Sequence, residues 1–220
     1  MKKKQFITNI HQSTKRNYLE RMINKKVFCM KIAKKYGKDY WDGSRKYGYG
    51  GFKYIPGRLT PVAKKLIKNY NLNNKSKILD VGCGKGYLLY EIKKIIPGAK
   101  IVGIDISKYA LKNSKKEIKN YLFKSKAQEK YKYKSKYFDL VISMGTLHNL
   151  GISDLKKSVS EIERVGKKKY IMVESFRNDQ ELFNLQCWAL TCETFLKPSE
   201  WIWLLKNFGY SGDYEFIYFK

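Results

Sequence analysis

The chain has 220 residues and a mass of 26.0 kDa, one domain's worth of polypeptide or at most two. Hydrophobic residues at 43% and aromatics at 15% are enough to build a core, which excludes global disorder, and no run approaches the ~18 uncharged apolar residues of a membrane helix. The net charge is +27, from 46 basic and 19 acidic residues, and only six of the basic residues are arginine. A nucleic-acid partner and a surface evenly coated with lysine both fit that charge; the scarcity of the bidentate guanidinium favours the coating, or a small anionic substrate.

Residues 1–38 hold twelve Lys/Arg against one acid, Glu20. Their basic start has no apolar run behind it, so no signal peptide is expected. A ragged stripe (Tyr18, Leu19, Met22, Ile23, Val27, Met30, Ile32, Ala33) predicts one or two basic amphipathic helices. They would pack on the main domain, or form a surface arm for nucleic acid or anionic lipid. Residues 39–59 crowd six aromatics and five glycines together. That composition predicts a loop, either packed on the surface or closing over a site as a lid. The expected division is therefore a basic arm and aromatic, glycine-rich lid over 1–59, and one domain over 60–220.

Thr60-Pro61 is placed to cap and open a helix. From Lys77 the pattern alternates. Strands are predicted at Lys77–Val81 and Lys100–Ile104, weakly at Leu122–Lys126, and then at Phe138–Ser143, Tyr170–Glu174 and Tyr214–Phe219. Helices are predicted at Tyr87–Ile96, from Ser107 to about Leu122, from Ser153-Asp154 to about Val165, within Phe183–Phe195, and at Pro198–Asn207. Apolar strands alternating with helices mean an α/β fold, a doubly wound and mostly parallel sheet covered on both faces. Cys29, Cys83, Cys187 and Cys192 form no CxxC pair and have no neighbouring histidine, so four reduced thiols in a cytoplasmic protein without a metal site are expected.

The sharpest signal is Asp80-Val81-Gly82-Cys83-Gly84-Lys85-Gly86, where a strand ends in Gly-x-Gly-x-Gly and a helix begins. Glycines permit a tight turn and a close ligand approach, and the helix start offers free N–H groups. Asp105, closing the next strand, stands where an acid accepts both hydroxyls of a ribose. Tyr87 occupies the place of the third dinucleotide glycine, and Lys85 is not followed by Ser or Thr. The pattern therefore asks for a ribose without a diphosphate.

These residues resemble the first motif of class I S-adenosylmethionine-dependent methyltransferases. Gly103-Ile104-Asp105-Ile106-Ser107 is similar to their second motif, and Phe138-Asp139-Leu140-Val141-Ile142-Ser143 to their fourth strand. The resemblance covers about residues 60–175 and implies S-adenosylmethionine as methyl donor, with S-adenosylhomocysteine as product. It implies that Asp80, Gly82, Cys83, Gly84 and Gly86 shape the methionine pocket, with backbone near Ser143 contacting the methionine end. Asp105 would hold the ribose and Ile106 the adenine. Lys126-Ala127-Gln128 departs from the family's Asp-Ala, leaving Gln128 as the adenine candidate. The family ends in an antiparallel strand pair; here the room past Gly209 predicts six strands rather than seven.

An oxygen acceptor needs a base, and His148, in Leu147-His148-Asn149-Leu150 after the fourth strand, is suited to take a hydroxyl proton or else to pack. Asn149 would position the acceptor or cap the next helix, with capping preferred. Glu174 would meet a substrate hydroxyl or amine, or pair with Arg177. Tyr47, Tyr49 and Tyr54 are candidates to line the acceptor pocket, with Arg45 and Arg58 holding an anionic group. The expected activity is methyl transfer to oxygen, less readily nitrogen, of a small polar acceptor such as a saccharide or phosphorylated intermediate of cell-envelope assembly. RNA methylation is the alternative, although Ser143-Met144-Gly145-Thr146 lacks the Asn/Asp-Pro-Pro-aromatic signature of base N-methylation.

Overall fold

In the computed structural model, which describes residues 1–49 and 53–220, the chain begins with four short helices. They are α1 (Thr8–Gln12), α2 (Tyr18–Ile23), α3 (Lys26–Ala33) and α4 (Lys38–Asp42), followed by a 3-10 turn at Arg45–Tyr47. The aromatic, glycine-rich segment expected to be loop thus starts as helix. Asp39-Tyr40-Trp41-Asp42 precedes its first glycine, and α4 stops at Gly43. Residues 50–52 of the expected lid lie outside the described residues.

Helix α5 covers Thr60–Tyr70, β1 Lys77–Val81, α6 Tyr87–Ile95 and β2 Lys100–Asp105. Thr60 is the first helical residue rather than the cap, and its hydroxyl donates to the buried carboxylate of Glu91 on α6. Ser107 caps α7 as expected, accepting from the Ala110 N–H, yet α7 ends at Lys112, about ten residues early. The Asn113 and Ser114 side chains donate back to the carbonyls of Tyr109 and Leu111, a local competition that ends helices. Strand β3 (Leu122–Lys124), β4 (Phe138–Met144), α8 (Ile152–Val165), β5 (Gly166–Glu174), α9 (Asp179–Trp188), α10 (Pro198–Asn207) and β6 (Asp213–Ile217) complete the chain.

The six strands form one sheet in the order β3-β2-β1-β4-β5-β6, parallel throughout. Chain direction across the sheet reverses between β1 and β4, so ligands are expected at the carboxyl end of β1. Successive strand residues feed two cores. Ile78, Leu140, Tyr170 and Met172 pack under α5 and α6, while Leu79, Val141, Ile171 and Val173 pack under α8 and α10.

The amino-terminal segment belongs to this structure rather than trailing from it. Lys3 pairs in parallel with Tyr214, so residues 2–4 cover the β6 edge. The fully buried carboxylate of Glu215 then accepts hydrogen bonds from the N–H groups of Phe6 (2.6 Å), Ile7 (3.1 Å) and Thr8 (2.8 Å) and from the hydroxyls of Thr8 and Tyr170 (both 2.6 Å).

Candidate active site

At the end of β1 the chain turns through Gly82-Cys83-Gly84-Lys85-Gly86 into α6, and two of these glycines are dictated by space. Gly82 has φ +79°, and a Cβ there would lie 1.9 Å from Thr146 Oγ1; Gly84 has φ +56°, and its Cβ would lie 2.7 Å from Trp41 Cη2. Gly82→Ala should lower the melting temperature by several degrees, since strain at positive φ and overpacking together cost about 2–5 kcal/mol. A thermal melt indistinguishable from wild type would show that the turn relaxes without penalty.

Around this turn lies a cavity of about 510 Å3. Asp80 and Asp105 both face it and both are buried, at 4% and 8% exposure. Asp105 Oδ2 accepts the Gly84 N–H at 2.8 Å and Oδ1 the Ser107 N–H at 2.7 Å, which fixes the carboxylate with lone pairs to spare. Neither acid forms an ion pair among the described residues. Burial, and secondarily the charge of Asp105, pushes Asp80 from 3.8 up to about 7; burial raises Asp105 as well. Two confined carboxylates without an ion-pair partner suit a ligand that brings positive charge and hydroxyl donors.

Ile106 and Gln128 line the same cavity. The Gln128 amide nitrogen donates to Asp154 at 3.1 Å. Asn149 also lines the cavity, and the structure corrects its expected role. The cap of α8 is Gly151, whereas Asn149 Nδ2 donates to the Gly145 carbonyl at 3.1 Å and its buried Oδ1 has no hydrogen-bond partner among the described residues. Cys83 and Gly84 complete the expected lining, and Gly86 lies beyond it as the cap of α6. Ser143 itself is buried within the sheet, with its hydroxyl donating to the Val81 carbonyl at 3.1 Å, while the chain just after it, at Met144, Gly145 and Thr146, lines the cavity.

His148 is held away from this cavity. It is 3% exposed in a 3-10 turn, its carbonyl accepts the N–H groups of Glu193 and Thr194, and its Nδ1 accepts the Glu174 N–H at 3.3 Å. That bond leaves the proton on Nε2, 3.5 Å from Glu174 Oε2. Burial pulls the imidazole down to about 3 and pushes the Glu174 carboxyl up to about 7. Glu174 does not pair with Arg177, which binds Glu181 instead.

The tyrosines and arginines expected to hold the acceptor are spread over other positions. Tyr54 donates to Glu91 at 2.6 Å, with its ring against Tyr87 and Tyr90. Tyr49 is enclosed behind the wall, its oxygen accepting the N–H groups of Leu190 and Thr191. Tyr47 packs on Phe28, Arg58 is exposed, and Arg45 lines a second cavity beside Trp188. The actual cover comes a few residues earlier in sequence. Trp41 donates from Nε1 to Ser107 Oγ at 2.8 Å and lies over Gly84, Lys85 Nζ meets Asp42 at 2.6 Å, and Tyr36 and Tyr40 close the roof. Lys34 and Glu193, paired at 2.9 Å, stand at the rim. The aromatic density around position 40 was the signal available in the sequence; which rings point inward depends on α4.

Comparison with known proteins agrees with this geometry. Residues 72–209 match the family described as methyltransferase domain, and residues 4–138 match protein-L-isoaspartate(D-aspartate) O-methyltransferase. The chain is 31% identical over 128 residues to ribosomal RNA small subunit methyltransferase C of Buchnera aphidicola, covering 54% of this chain and 37% of that one. It is 32% identical over 116 residues to the mitochondrial arginine-hydroxylase NDUFAF5 of Mus musculus, covering 53% and 33%. The chain thus spans about a third of the length of these curated relatives. A solved Bacillus halodurans structure described as a methyltransferase shares the fold with a TM-score of 0.54 at 20% identity, over 67% of this chain and 68% of that one. Buried acids at the reversal point of the sheet, a turn with no room for side chains and these matches converge: the chain belongs to the methyltransferase domain family and carries a class I, S-adenosylmethionine-dependent methyltransferase fold.

Proposed function

We propose that the protein transfers the methyl group of S-adenosylmethionine to an oxygen of a small polar acceptor, of saccharide or phosphorylated type. The observation that carries this reading is the pair of buried carboxylates Asp80 and Asp105, neither ion-paired among the described residues, facing a cavity roofed by Tyr36, Tyr40 and Trp41. S-adenosylmethionine, when bound, supplies an electrophilic methyl on a sulfonium. Asp105 takes the ribose hydroxyls, Asp80 and the free Asn149 Oδ1 take the ammonium end, and Ile106 and Gln128 flank the adenine. The roof excludes water, Lys34 and Thr191 orient the acceptor from the rim, and the Glu193 carboxylate takes the hydroxyl proton as the methyl–sulfur bond breaks and the methyl–oxygen bond forms. Residues 1–59 are in this view an arm and lid on the domain of 60–220.

Two expectations test the assignment. The first is a proton balance. Asp80 is raised in the folded state, so it destabilises the fold progressively as pH climbs from 3.8 to about 7, and a cationic ammonium beside it reverses that penalty. Binding S-adenosylhomocysteine at pH 6 should release ~1 proton, read by calorimetry in buffers of different ionisation heat. Buffer-independent heats would remove Asp80 from the site. The second is transfer of labelled methyl to a panel of sugars, sugar phosphates and carboxylic acids, with Glu193→Gln slowing any accepted substrate. Label appearing only in RNA would favour the alternative, which rests on the +27 charge and the ribosomal RNA methyltransferase relative.

A further inference from the structure

Away from the donor cavity, three guanidiniums crowd one indole. Arg16, Arg21 and Arg45 stand 5.5, 4.3 and 5.2 Å from the ring centre of Trp188. None forms an ion pair among the described residues. Each is instead tied to backbone: Arg16 to the carbonyls of His11 and Thr14, Arg21 to those of Trp188, Arg45 and Gly48, and Arg45 to that of Lys15. With Lys15 and Lys46 they line a second cavity of about 430 Å3, in which Glu20 is the one acid. Burial lowers the affinity of Arg16 and Arg21 for their protons, and the neighbouring Arg45 charge lowers both further, against the Tyr18 hydroxyl and Glu174 carboxylate at Arg16 and Tyr49 at Arg21, which raise it. Backbone ties hold these like charges together in an arrangement that an anion would relieve.

Helices α2 and α3 also leave part of the predicted apolar stripe, Leu19, Ile23 and Val27, facing solvent rather than packed on the domain. Leu19, Ile23, Val27 and Phe28 are 62, 80, 66 and 54% exposed. Asn17, Glu20, Arg21 and Asn24 give α2 and its flanks one face toward the cavity, while Leu19 and Ile23, one turn apart, point to solvent. The two features adjoin. Phe28 packs edge-on against Tyr47 at 6.3 Å, and Lys46 Nζ lies 4.9 Å from the same ring. Lys25, Lys31 and Lys35 are exposed around the patch.

We propose that this face docks on an anionic bilayer, with a lipid phosphate in the Arg16–Arg21–Arg45 cavity and Leu19, Ile23, Val27 and Phe28 in the interfacial layer. A soluble phosphate would use the cavity and leave the apolar residues in water. An RNA strand would use the cations, but only one of the four exposed apolar side chains offers a ring for base stacking. Apolar side chains beside a cationic pocket are what a charged interface recruits. The proposal does not depend on the methyl-transfer reading, and Asp105→Ala should leave it intact.

The test is co-sedimentation of the full chain with phosphatidylglycerol/phosphatidylcholine vesicles and with pure phosphatidylcholine. Wild type should bind only the anionic vesicles. Ile23→Ser/Val27→Ser, with its melting curve unchanged, and Arg45→Lys/Lys46→Ala, which keeps the cation of Arg45 but removes its guanidinium fork, should each weaken that binding at least ~10-fold. Retained binding by the serine variant would overturn the proposal. So would affinity for inorganic phosphate or pyrophosphate, or salt-sensitive binding to RNA, with no vesicle binding.

Discussion

Asp105→Ala is expected to weaken S-adenosylhomocysteine binding by at least ~100-fold, because a hydrogen bond to a charged acceptor contributes about 1.5–3 kcal/mol and a ribose offers this acid two. The loss has a second source within the protein. Asp105 also accepts the N–H groups of Gly84 and Ser107, so its removal frees the turn that follows β1 and the start of α7 together. Calorimetry on wild type, Asp105→Ala and Asp105→Asn separates the two effects. Asn keeps acceptor oxygen on one side and should fall between the others, while thermal melts without ligand report how far the turn has loosened. Undiminished binding by the alanine variant would remove the central acid from the proposed function, whatever the fold resembles.

Glu215→Ala should be the most damaging substitution for stability, costing about 3–5 kcal/mol and lowering the melting temperature by roughly 6–20 °C. Its carboxylate is fully buried and gathers three consecutive N–H groups and two hydroxyls. Truncation leaves all five donors confined without an acceptor. Thr8→Ala, which removes one of the five, should cost only about 0.5–1.5 kcal/mol. Because the acid ties residues 6–8 to β6, limited proteolysis of Glu215→Ala should cut first within the amino-terminal segment. If the variant melts within a degree or two of wild type, water is entering to satisfy those donors.

How much could be read from the sequence divides along the range of the interactions involved. Lys77–Val81 and Pro198–Asn207 appear where expected because apolar runs, Pro and Gly act over a few residues. The nearness of the glycine turn to Asp105 was legible for a related reason: adjacent parallel strands must present the end of one beside the end of the next. The shortening of α7 was also local, written in Asn113-Ser114, and was missed because the apolar pattern was extended past them. The aromatic density around position 40 offers a cover as one reading, but which residues form it is not legible. Trp41 finds Ser107 across 66 positions and Glu215 finds Phe6 across 209, pairings that no periodicity encodes. His148 illustrates the same limit. Whether a histidine after the fourth strand opens to the cavity or turns toward β5 depends on one turn of 3-10 helix and the Glu174 N–H it meets.

The seam between residues 2–8 and β6 orders the protein's assembly in time. During translation this lysine-rich opening is made long before Tyr214 and Glu215 exist to receive it, with Phe6 preceding Glu215 by 209 residues. Through most of translation that opening must wait without its dock, and the roof over the donor cavity, carried on the helices that follow, waits with it. Until β6 has been made, the sheet edge stays bare and the arm loose, so the roof can settle only after Asp213–Ile217 has joined the sheet.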